Sequence, residues 1–187
     1  MAYLNKEEIL NWANLYDKEN YEGWVVPEQE LGNKFRRTQE VTKADLMAVV
    51  EWKFLGNPVW KNRRLRDVEY IDDNMIREKS NQAFTKAKTD IERVYCLRCK
   101  GVGTAIVSVI LTFYNPKEYG VFDRHVWQGL YGDQPSSYFD YEFYGNVGNY
   151  VKVLETLRDE ATRHNLDVRT IEKAYFNKHF HQSRRRR

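Results

Sequence analysis

From Ala105 to Tyr114 the chain is almost wholly apolar, is entered through Lys100-Gly101-Val102-Gly103-Thr104, and stops before Asn115-Pro116. A residue that precedes proline is pushed out of the helical region, so this reads as a helix that ends at the Asn-Pro step. Upstream, Thr89 is placed to cap another helix, with Ile91, Val94, Tyr95 and Leu97 facing inward. The two glycines between these helices let the backbone turn with no Cβ in the way, and leave amide N–H groups unpaired at the start of the second helix. Such a terminus can hold a phosphate. A glycine turn is as often a plain connection, so this unit alone leaves both readings open.

The rest of the chain repeats the helical pattern. Asn5 with Glu8 reads as a capping box, followed by Ile9, Ala13 and Tyr16 at helical spacing, with an end near Tyr21-Glu22-Gly23. Trp24-Val25-Val26-Pro27 reads as extended. Thr42 with Asp45 opens a helix carrying Leu46, Val49, Val50 and Phe54, which Gly56-Asn57-Pro58 breaks. Asp73 is placed to cap a helix with Ile76, Ala83, Phe84 and Ala87 inward. A short helical stretch follows Asp123, then a connection rich in Gly, Pro, Tyr and Ser from Gly132 to Gly148. Tyr150, Val153, Leu154, Leu157 and Ala161 mark a long amphipathic helix, and Ile171, Ala174 and Tyr175 one more. Strand-like alternation is nearly absent, so the expected fold class is all-α.

With 187 residues the chain suits one domain, or two small helical lobes sharing a cleft. No run of about 18 apolar residues offers a membrane span, and the N-terminus lacks an apolar signal segment. The expectation is a cytoplasmic protein, nucleoid-associated if prokaryotic, with no membrane partner. Cys96 and Cys99 have no second pair to complete a metal site and read as ordinary helix residues, so neither metal nor cofactor is expected. A net charge of +3 says little by itself. Its distribution says more: Trp52 to Arg66 holds five cations (Lys53, Lys61, Arg63, Arg64, Arg66) and no acid, interleaved with Trp52, Phe54 and Trp60. This is either a solvated face or a DNA-facing surface with a side chain to wedge into the stack, for which Arg63 and Arg64 are the better phosphate contacts. The basic tail Arg184 to Arg187 reads as a frayed terminus.

Three segments carry a family resemblance: Gly101-Val102-Gly103-Thr104, then Asn115-Pro116-Lys117-Glu118-Tyr119-Gly120-Val121, then Phe122-Asp123-Arg124-His125-Val126-Trp127. Together they resemble the helix-hairpin-helix, Gly/Pro-rich loop and aspartate core of the DNA glycosylases that include endonuclease III and the 8-oxoguanine DNA glycosylases. D-x-H-x-W is closest to the 8-oxoguanine branch. The match spans roughly Ile91 to Leu130, with the hairpin at about 90–114 and the loop and aspartate at about 115–127. The resemblance implies two helical lobes around a DNA-binding cleft within a single domain, 1–187, acting as a monomer on double-stranded DNA that contains a damaged or modified base. It makes Asp123 the catalytic residue. It puts Lys100, Gly101, Val102, Gly103, Thr104 and His125 on the DNA backbone, and Ala105, Val109 and Phe113 at the flipped base. From the residues alone, His125, Val109 and Phe113 suit a core equally well.

The chain departs from the family at two places. Cys99-Lys100 stands where the family usually has Leu-Pro, and Ala105 stands where bifunctional members carry the lysine that attacks the sugar. The resemblance therefore implies a monofunctional enzyme that leaves an abasic site, with Lys100 as the nearby amine that could substitute. A carboxylate suits the reaction because breaking an N-glycosidic bond develops positive charge on the sugar, which a fixed anion stabilises while it orients water. The target atom lies inside the stack, so the nucleotide must flip into a pocket. Superfamily breadth leaves ordinary oxidised or deaminated bases open beside a hypermodified one, such as the glucosylated hydroxymethylcytosine of phage DNA, which would make this a defence enzyme. A non-catalytic lesion-sensing module that kept the hairpin is the alternative.

Overall fold

The computed structural model describes residues 3–132 and 141–185, and within them every regular element is a helix. The expected all-α class is therefore found. Local signals set most of the boundaries. Helix α1 (Lys6–Glu19) starts at Asn5, whose side chain accepts from Glu8 N–H at 2.9 Å while Glu8 accepts from Asn5 N–H at 3.0 Å. Helix α3 (Lys43–Lys53) starts at the Thr42/Asp45 capping box and α6 (Asp90–Leu97) at a third, Thr89 with Glu92. Each box satisfies two otherwise orphaned N–H groups.

Where the sequence reading fails, packing or chain geometry explains the failure. Trp24-Val25-Val26-Pro27 is not extended: a π-helical turn (Tyr21–Val25) leads directly into α2 (Val26–Thr38), whose first turn contains Pro27. Proline there loses no helical hydrogen bond, so it marks a helix start and not a break. The break expected at Gly56-Asn57-Pro58 is found, since α3 ends at Lys53, but Pro58 also opens a helix that was not anticipated, α4 (Pro58–Glu69), with the Asn57 side chain accepting from Trp60 N–H. Helix α5 (Asp73–Thr85) is capped by Asp72 rather than Asp73, and ends before Ala87. On α6 only Val94 and Leu97 are buried; Ile91 and Tyr95 are 50% and 58% exposed, because this eight-residue helix packs on one side only.

Helix α7 (Thr104–Tyr114) is the axis of the molecule. It is buried on nearly every side, as a helix apolar all round must be, and touches α2, α3 and α6, together with α9 (Tyr141–Gly145) and α10 (Val147–His164). Its last carbonyls, those of Phe113 and Tyr114, accept from the Arg36 guanidinium of α2 at 2.7 and 3.1 Å, a charge placed where the helix dipole favours a cation. Helix α11 (Val168–Arg185) packs against α1, α10 and α8 (Arg124–Tyr131).

The loop from 115 to 123 is clamped between these helices. Ser108 of α7 accepts from Phe122 N–H at 2.8 Å, and the carbonyl of Pro116 accepts from Arg169 N–H at 2.9 Å. Gly120 lets it pass: a Cβ there would lie 2.7 Å from Leu157 and 3.1 Å from Glu172. Tyr119, Val121 and Phe122 are buried. A loop held this way delivers its final residue, Asp123, to one fixed place. No helix among the described residues is long and apolar enough to cross a membrane. Part of the predicted 132–148 connection, and the end of the basic tail, lie outside the described residues.

Candidate active site

Asp123 is the N-cap of α8. Its Oδ1 accepts from His125 N–H at 2.9 Å, and its Oδ2 accepts from Lys53 Nζ at 3.0 Å. Lys53, the last residue of α3, also donates to the Phe122 carbonyl at 3.2 Å. Burial alone would raise the Asp123 carboxyl; the Lys53 ammonium, His125 and the N–H groups at the start of α8 outweigh it and bring the group down to about 2. Asp123 is thus an anion throughout the physiological range. Its side chain is 24% exposed against 8% for Lys53, so the carboxylate is the member of the pair that faces open space.

That space is a cavity of about 460 Å³. Its aromatic walls include Tyr16, Trp24, Trp52 and Phe176. Trp24 and Trp52 donate their indole N–H groups to each other's carbonyls at 3.0 and 2.9 Å, which consumes their polar atoms and leaves ring surface to the cavity. Ala105 and Gly103 reach it from the hairpin, and Asn57, Trp60 and Arg64 from the α3–α4 side. Arg63 and Arg64 both lie over the Trp60 ring, at 5.3 and 5.4 Å from its centre.

A second charged cluster, centred on Arg169 of α11, lines the same cavity. Arg169 is bonded to both Glu28 oxygens at 2.9 and 2.7 Å, to the Tyr16 hydroxyl at 3.3 Å, and to Glu172. Burial works against its charge, but Glu28 and Tyr16 outweigh it and hold the guanidinium above its ordinary value; Arg169 in turn overcomes burial to pull the Glu28 carboxyl down. Burial pushes the Tyr16 hydroxyl up to about 12.

His125 turns inward. Its Nε2 accepts from Arg124 Nε at 3.2 Å and its Nδ1 lies 2.9 Å from His179 Nδ1. Arginine can only donate, so the lone pair of Nε2 is engaged, and in the neutral ring Nδ1 carries the proton and gives it to His179. Burial and the neighbouring cations Arg124 and Lys53 lower His125 to about 4, against the opposing pull of Asp123.

The expected site residues therefore separate. Asp123, Ala105, Gly103, His125 and Arg64 line the cavity. Lys100 is exposed at the turn and Arg63 is exposed on α4, both outside the lining. Gly101, at φ +87°, makes the hairpin turn against Asp67; Val102 is buried, bridged backbone to backbone with Cys99. Thr104 is buried and spends its hydroxyl on the Gly145 carbonyl at 2.8 Å. Gly103 offers no side chain as N-cap, so the first N–H groups of α7 have no side-chain cap. Val109 and Phe113 are fully buried and do not line the cavity, because α7 is enclosed on that face too; Phe113 meets Trp52 edge to face at 5.0 Å. Sequence reasoning counted Lys53 only as part of a cationic run, and did not find Arg169, Glu172 or Tyr16 as cavity residues. Among the described residues no cluster of three or more His, Cys, Asp or Glu side chains is arranged to hold a metal, and both cysteines are free.

Comparison with known proteins gives no counterpart: no family model matches the sequence, and neither the curated proteins nor the solved structures yield a match.

Proposed function

We propose that the chain is a DNA N-glycosylase, with the α6–turn–α7 unit as its helix-hairpin-helix and the mouth of the cavity as its DNA-binding cleft. One observation carries the reading: a carboxylate held ionised by Lys53 and the α8 N-terminus, on the wall of an aromatic cavity. In the proposed reaction a flipped base stacks among the rings while Asp123 stabilises the positive charge that develops on the sugar. The uncapped N-terminus of α7 supplies N–H groups to a phosphate, and Arg63 and Arg64 are the proposed rim contacts. Acting on genomic DNA, the enzyme would work in the cytoplasm or at the nucleoid. The cavity volume and the charged Arg169 cluster within it leave room for a base with a polar substituent beside ordinary lesions.

The test is a panel of duplexes carrying oxidised, deaminated, alkylated and hypermodified bases, read by strand scission after alkali. Base release is expected from at least one, and Asp123→Asn should slow it by about 10²–10³-fold while affinity for the duplex changes little. Intact, salt-dependent DNA binding with no base released from any duplex would instead support the lesion-sensing module. No salt-dependent binding at all would remove DNA from the account.

A further inference from the structure

We infer that Tyr16 and Glu172 read the edge of the flipped base that lies farthest from the sugar, Glu172 by accepting an N–H and Tyr16 by donating its O–H. The substrate class follows: bases altered on ring carbons, such as C5 of a pyrimidine or C8 of a purine, are taken, and bases alkylated on that edge are refused. This rests on the glycosylase reading and narrows it.

Both residues line the cavity, and each is only partly spent within the protein. Arg169 holds them beside each other, giving one terminal nitrogen to Glu172 and the other to Tyr16, while Glu28 fixes the guanidinium from behind. Glu172 uses one oxygen on Arg169; its Oε1 accepts from nothing among the described residues. Nor is Oε1 among the sealed atoms without a partner, as Glu160 Oε1 and the Tyr150 hydroxyl are, so its free face is the cavity. The Tyr16 oxygen accepts from Arg169, and among the described residues its proton goes to no acceptor. With the hydroxyl pushed up to about 12, that proton stays in place, and the N–H directed into the oxygen makes the O–H a stronger donor.

Burial says which part of a nucleotide they meet. The Glu172 side chain is 2% exposed and Tyr16 is buried, whereas the Asp123 side chain is 24% exposed. Asp123 therefore belongs to the open part of the cavity and meets the sugar, and the base edge opposite the glycosidic bond reaches the enclosed part. In unmodified bases that Watson–Crick edge carries an N–H beside an acceptor, the complement of one free carboxylate oxygen and one free hydroxyl. Glu28 and Glu172 outnumber Arg169, so an occupant that brings no N–H strips water from a buried carboxylate and returns nothing. A site of this kind rejects an analogue lacking the hydrogen bond far more strongly than an apolar pocket rejects a misfit.

The test uses duplexes carrying 5-hydroxymethylcytosine, 5-hydroxymethyluracil or 8-oxoguanine, and others carrying 3-methylcytosine, 3-methylthymine or 1-methylguanine, whose edges are blocked. A duplex with tetrahydrofuran in place of one nucleotide offers the backbone without a base. Release is expected from at least one of the first group and from none of the second. On the fastest duplex, kcat/KM should fall about 10²-fold in Glu172→Gln, which puts a donor where the acceptor was, and at least about tenfold in Tyr16→Phe, which keeps the ring. Both variants should bind the tetrahydrofuran duplex within about twofold of the unaltered protein, because no edge is there to read. Equal losses on that duplex, or unchanged rates in both variants, overturn the proposal. Release of an edge-methylated base from the unaltered protein does so even if a variant misfolds, and leaves the glycosylase standing. No release from any duplex sinks both.

Discussion

Two charged clusters meet one cavity, Lys53 with Asp123, and Arg169 with Glu172 and Tyr16 backed by Glu28, and they are built to opposite ends. Arg169 is saturated: its guanidinium makes hydrogen bonds to two carboxylates and a phenol, and it does not surrender a proton in proteins. Its cluster joins α2 to α11 and reaches α1 through Tyr16. Lys53 makes two hydrogen bonds, one of them to a carboxylate that faces open space. The difference teaches which buried charge is a strut and which is chemistry. Three helices lean on the first, whereas the second holds an anion against a cavity wall.

The sharpest way to break this comparison is to remove the strut. Arg169→Met leaves Glu28 and Glu172 buried without their cation, and breaking such a cluster from one side costs about 3–5 kcal/mol. Urea unfolding should show that loss. A change under about 1 kcal/mol would mean that the cluster does not hold the helices together.

Much of this could be read along the chain, and the boundary between what could and could not is physical. Capping boxes at Asn5, Thr42 and Thr89, and the stop at Asn115-Pro116, are decided within a few residues, and the structure has them where the local chemistry puts them. Asp123 as the cap of a helix was legible for the same reason. What was not legible depends on distant partners. Lys53 meets Asp123 across 70 residues and Arg169 meets Glu28 across 141, and no local pattern encodes either pairing. Val109 and Phe113 fail differently: on a helix enclosed all round, lying one and two turns beyond Ala105 does not say which residues meet a cavity. Trp24 to Pro27 reads as extended, and the break at Gly56-Asn57-Pro58 hides the start of α4, because a proline that ends one helix and one that begins another look alike until the preceding residues are placed.

The two clusters also separate by pH. His125, beside Asp123, has its folded value depressed from 6.5 to about 4, so the unfolded chain binds a proton between these values that the folded one refuses. Stability is therefore full above about 6.5 and falls as pH drops toward 4, by about 3 kcal/mol. Asp123, depressed from 3.8 to about 2, and Glu28, lowered by Arg169, add their losses only at more acidic values. Unfolding free energies measured from pH 7 to 4.5 should fall steeply in the unaltered protein and stay nearly flat in His125→Gln. An equal slope in both would place the titrating group elsewhere.

The smallest effect expected discriminates most finely. Lys53→Met removes the cation from Asp123, yet the carboxylate keeps the His125 N–H, the α8 N-terminus and access to the water of the cavity. An anion that retains those partners is only partly orphaned, so the expected loss is about 1 kcal/mol, well short of what Arg169→Met should cost. The carboxyl should also rise from about 2 toward its ordinary range, which shrinks the stability it loses between about pH 4 and 2. If Lys53→Met proves as damaging as Arg169→Met, Lys53 is a second strut, and its burial beside Asp123 serves the fold rather than a reaction.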